Sequence, residues 1–73
     1  MRIDLVVKMP ASETWAIEIK HGTAPKPGKH YSETCDDVGA DRKYIVYGGD
    51  DVFPLGRGVT MIFLQKLMQL ITA

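Results

Sequence analysis

The 73-residue chain has a single cysteine, Cys35, so no intrachain disulfide can brace it. A lone thiol fits a reducing compartment, and a cytoplasmic location is the expectation. No apolar run approaches the roughly 20 residues needed to cross a bilayer. Met1-Arg2-Ile3-Asp4 brings an acid where a signal peptide carries apolar residues. Net charge is also lacking: nine basic residues balance nine acidic ones, so the chain as a whole has no attraction for nucleic acid. There is no Gly-x-x-x-x-Gly-Lys-[Ser/Thr] loop, which excludes ATP binding of that kind. His21, His30 and Cys35 match no usual zinc spacing, and the two histidines read as surface residues flanking a Pro/Gly loop. Neither a repeat nor a low-complexity tract is present.

What remains is an ordinary globular composition, 45% apolar and 25% charged. The length bounds the chain to one domain, residues 1–73, with a thin core that profits from a metal or a partner chain. Ile3 to Lys8 and Thr14 to Lys20 both alternate in the period of a strand. Met9-Pro10-Ala11-Ser12-Glu13 between them reads as a turn, so the two strands form a hairpin. Its apolar rows, Ile3-Leu5-Val7 and Trp15-Ile17-Ile19, are expected to share one face and meet the core. His21 to His30 is a long loop. The spacing of Tyr31, Cys35 and Val38 predicts a short helix over 31–40, capped by Ser32 and stopped at Gly39. Lys43 to Tyr47 is β-branched and aromatic and predicts a strand. A helix between two strands implies a right-handed crossover, which lays this strand parallel to the second hairpin strand. Gly49 to Gly58 reads as a turn-rich loop, Val59 to Ile62 as a strand, and Phe63 to Ile71 as a closing helix whose apolar side holds Phe63, Leu64, Leu67, Met68 and Ile71. The fold class is therefore α/β with a mixed sheet, in the order β-hairpin–α–β–β–α.

Charge is unevenly placed. Lys20, His21, Lys26, Lys29 and His30 precede Glu33, Asp36, Asp37 and Asp41, a pattern that suits a solvated loop followed by a polar helix. The hairpin carries the chemistry. A turn centred on Ala11 sets Leu5 opposite Ile17, Lys8 opposite Thr14 and Asp4 opposite Glu18. Asp4, Glu18 and Lys20 then share the face away from the apolar rows. Directly opposed residues have Cβ atoms about 5 Å apart, and two carboxylates at that range repel unless a positive group lies between them. Lys20 can supply that charge diagonally, as on any wet sheet face. A divalent cation is the other solution: Mg²⁺ takes hard oxygen ligands, and a water on it beside Lys20 would be placed to attack a phosphodiester. Cys35 has no base near it in sequence and reads as a small buried side chain. Tyr44 and Tyr47 point to opposite sides of one strand and offer no shared stacking platform.

Asp4 followed by Glu18-Ile19-Lys20 on the second strand is similar to the PD-(D/E)xK nuclease motif. A wider set resembles the DUF4143 domain: Ile3-Asp4-Leu5-Val6-Val7, Trp15-Ala16-Ile17-Glu18-Ile19-Lys20, the Ala24-Pro25-Lys26-Pro27 loop, Arg42-Lys43-Tyr44-Ile45-Val46-Tyr47, and Gly58-Val59-Thr60 before a leucine-rich helix. In that family the domain follows an AAA-type ATPase domain and a winged-helix region. The resemblance implies a restriction-endonuclease-like fold in which Asp4 and Glu18 are metal ligands, the Ile19 carbonyl a further ligand, and Lys20 the catalytic lysine, with Mg²⁺ as cofactor and DNA as substrate. The ATPase part and the core helix that usually precedes the first strand are both absent, which suggests the tail of a longer protein. Two functions follow as expectations: a non-catalytic accessory or interaction module, or a Mg²⁺-dependent DNA endonuclease. The missing helix leaves apolar sheet surface that a second copy is expected to cover, as a homodimer.

Overall fold

The computed structural model describes residues 3–23 and 31–73. Its first unit is the hairpin of β1 (Leu5–Lys8) and β2 (Thr14–Ile19). The antiparallel register pairs Leu5 with Ile17, Val7 with Trp15 and Lys8 with Thr14, as the alternation requires. The turn is closed by Met9 N–H donating to the Glu13 carbonyl at 2.8 Å and Ser12 N–H donating to the Met9 carbonyl at 3.0 Å. The expected loop residues Ala24-Pro25-Lys26-Pro27, Lys29 and His30 lie outside the described residues.

The crossover is made by α1 (Tyr31–Asp37), shorter than the periodicity predicts. Its end is chemically defined. Gly39 takes φ +74°, its N–H donates to the Asp36 carbonyl at 2.9 Å, and Ala40 N–H donates to the Cys35 carbonyl at 3.0 Å. That pair of bonds satisfies carbonyls the helix would otherwise leave open, and the left-handed turn favours glycine. Ser32 is not the cap: it lies inside the helix, and its hydroxyl donates to the Arg57 carbonyl at 2.9 Å.

The chain returns as β3 (Arg42–Tyr47), parallel to β2, with Trp15 beside Arg42 and Ile19 beside Val46. Then come β4 (Phe53–Gly56), β5 (Val59–Phe63) and α2 (Leu64–Thr72). β5 is parallel to β3 and antiparallel to β4, giving one mixed sheet in the order β1-β2-β3-β5-β4. The α/β class and the order hairpin, helix, strands, helix hold, with β4 inserted where the glycines predict only a loop. Pro54 hid this strand from the sequence; a proline is tolerated there because β4 is an edge.

The sheet is buried on both sides at its centre. Tyr31 and Cys35 of α1 pack on Ala16, Ile45, Tyr47, Val59 and Met61, with Ile3 against them. Leu67 of α2 packs on Trp15, Ile17, Tyr44, Val46 and Ile62 on the other face. The polar hairpin face expected to be wet is therefore covered at β2: Ala16 is 0% and Glu18 3% exposed. Meanwhile the apolar rows are only partly inside, with Leu5 51% and Ile19 48% exposed. Val38, in the turn just past α1, is exposed, and Leu64 and Met68 are exposed on α2, whose sheet-facing side is Leu67, Leu70 and Ile71. Among the described residues no helix is long and apolar enough to cross a membrane.

Tyr47 anchors the turn after β3. Its hydroxyl accepts from Asp51 N–H at 2.9 Å and lies 3.2 Å from the Asp51 carbonyl. Its ring lies so close to Gly49 that a Cβ there would come within 2.3 Å of Cε2. Gly49→Ala is therefore expected to cost about 1–2 kcal/mol through overpacking. Urea unfolding checks this; an unchanged midpoint would mean that the Tyr47 ring yields freely.

Candidate functional site

The hairpin brings Asp4, Glu18 and Lys20 to one end of the sheet, but the expected opposition of Asp4 and Glu18 is not part of the ladder: pairing begins with Leu5 and Ile17, and Ile3 packs on the α1 side, away from Val7 of its expected row. Asp4 stands just ahead of β1, held by its N–H donating to the Ile17 carbonyl at 3.0 Å. Its carboxylate does structural work: Oδ2 accepts Ile19 N–H at 2.8 Å. The side chain thereby stands in for a strand carbonyl where the β1–β2 ladder runs out, which satisfies a donor of β2. Lys20 continues past β2, its N–H donating to the Val46 carbonyl at 2.8 Å, so its backbone is tied to β3.

Glu18 is the unusual member. Its side chain is 4% exposed, and its Oε1 lies 3.3 Å from Lys20 Nζ, whose side chain is 31% exposed. The second oxygen, Oε2, is buried without a hydrogen-bond partner among the described residues. A carboxylate withdrawn from water is costly unless paired, so Lys20 is what makes its burial tolerable. Among the described residues no three His, Cys, Asp or Glu side chains stand together as a metal-binding group. The Ile19 side chain points into solvent, 48% exposed.

A family model described as a domain of unknown function (DUF4143) matches residues 2–67. The chain belongs to the DUF4143 family. No curated protein and no solved structure matches it. In this DUF4143 domain the matched span takes in the hairpin, the crossover helix, all five strands and the first turn of α2.

Beside the carboxylates, α1 contributes a feature that the sequence reading treated only as core. The Tyr31 hydroxyl is fully buried, 2.7 Å from the Tyr44 carbonyl and 3.1 Å from the Ala16 carbonyl, so it ties the helix to both β2 and β3. Burial, reinforced by a hydrogen bond with Cys35, pushes its ionisation far above the usual phenol range. Burial likewise raises the Cys35 thiol, which favours its protonated form. His21 is exposed while Cys35 is buried, so these two do not form a metal pair. Tyr44 and Tyr47 fall on opposite faces, as the alternation predicts, and both are buried.

At the far end of the sheet a second polar cluster joins the strand starts. Asp41 and Thr14 bond reciprocally: Thr14 N–H donates to Asp41 Oδ2 at 2.7 Å, and Asp41 N–H donates to the Thr14 carbonyl at 2.7 Å. The Arg42 guanidinium lies 4.9 Å from the Trp15 ring centroid and 3.5 Å from Glu13 Oε1. Lys43 reaches Asp36 at 2.7 Å and Ser32 at 2.8 Å, fastening α1 to β3. These contacts use up the basic side chains of this end on internal partners, and nothing in them marks a ligand site.

Proposed function

We propose that the chain is a PD-(D/E)xK-like, restriction-endonuclease-like domain that serves as a non-catalytic accessory or interaction module. The observation that carries this reading is the sealing of Glu18: 3% exposed and ion-paired to Lys20. The chemistry of the donors suits Mg²⁺, since Asp4, Glu18 and the Ile19 carbonyl are all hard oxygens. Their arrangement does not suit it. Mg²⁺ keeps several waters and demands octahedral space, whereas the Glu18 carboxylate is enclosed and Asp4 is committed to a backbone N–H. Balanced charge further weakens attraction for DNA.

One observation favours a second reading. Glu18 Oε2 is a buried oxygen without a hydrogen-bond donor among the described residues, and a cation would satisfy it. In a Mg²⁺-dependent DNA endonuclease, Asp4, Glu18 and the Ile19 carbonyl would hold the ion, and Lys20 would face the phosphate under attack. The ion would supply a water nucleophile and charge stabilisation.

Titration calorimetry with Mn²⁺ and Mg²⁺ separates the two readings. The module reading expects no saturable heat with the wild-type chain. Saturable binding that Asp4→Ala abolishes would establish the metal site instead and overturn it.

A further inference from the structure

We draw no further inference here: the strongest candidate, the apolar edge of the sheet at Leu5 and Val6 of β1, is exposed but flanked by charges engaged within the chain, Asp4 on Ile19 N–H and Lys8 on Thr14, and nothing in the structure shows what covers it.

Discussion

Lys20→Met should destabilise the fold by about 2–3 kcal/mol, and most of that loss should vanish when Glu18 is also replaced by leucine. Glu18, not Lys20 itself, sets the size of this loss. With the ammonium 3.3 Å away, Glu18 has one partner for Oε1 and none among the described residues for Oε2. Removing one member of a buried pair commonly costs about 3–5 kcal/mol because the other charge is left stranded. Lys20 is 31% exposed and water can partly replace it, which moves the expectation below that range. Removing both members leaves nothing stranded, so Glu18→Leu/Lys20→Met should return to within about 1 kcal/mol of wild type or exceed it. Urea unfolding of the four proteins in chelator measures the coupling directly. Equal costs of Lys20→Met in the two backgrounds would show that Glu18 does not depend on the lysine.

Tyr31→Phe comes next in size. The hydroxyl is buried between two strand carbonyls that share its single proton, the nearer being that of Tyr44, and its loss costs about 2 kcal/mol. The same burial gives an alkaline limit to stability. Tyr31 is held protonated in the fold above its ordinary value of about 10, and Cys35 above about 9. Both pKa values are raised on folding, so their contribution is complete below the unfolded values and lost as pH rises beyond them. Above about pH 9 the unfolded chain sheds the Cys35 proton, and above about pH 10 that of Tyr31, while the fold retains both. Each group then lowers stability by up to about 1.4 kcal/mol per pH unit. Tyr31→Phe should therefore start less stable at pH 8 and decline less steeply between pH 10 and 11. Parallel slopes for the two proteins would show that Tyr31 ionises freely in the fold.

Much of the fold was legible because two periodicities agreed. The alternation of Leu5-Val6-Val7-Lys8 and Thr14 to Ile19, with Pro10 and Ser12 between them, leaves one register in which both apolar rows coincide, and that register is observed. A short helix between β2 and β3 then forces them parallel. The same register brought Asp4, Glu18 and Lys20 to one end of the sheet, but it stops at Leu5, ahead of which Ile3 and Asp4 leave the alternation. What alternation could not reveal is which faces are covered. Thr14, Ala16 and Glu18 look like a wet row, yet Ala16 is small enough for Tyr31 to lie against the sheet, and α1 encloses Glu18 with it. A strand buried on both faces usually reads as continuously apolar, and here one charged residue concealed it. β4 escaped for the opposite reason, since Pro54 and the flanking glycines are turn residues that an edge strand happens to tolerate. Both helix stripes extend further than the contacts: Val38 falls in the turn past the end of α1, and Leu64 and Met68 fit the period of α2 but lie beyond the width of contact that helix makes.

The claim most exposed to test is that the Asp4–Glu18–Lys20 face holds the hairpin together and does not cut a phosphodiester. The direct measurement is plasmid nicking in Mg²⁺ and in Mn²⁺ by the wild-type chain and by Asp4→Asn, which keeps a side-chain oxygen for Ile19 N–H while removing the charge. The expected result is no metal-dependent nicking by either protein. Nicking by the wild type that requires the metal and disappears in Asp4→Asn would contradict the claim and restore the endonuclease reading.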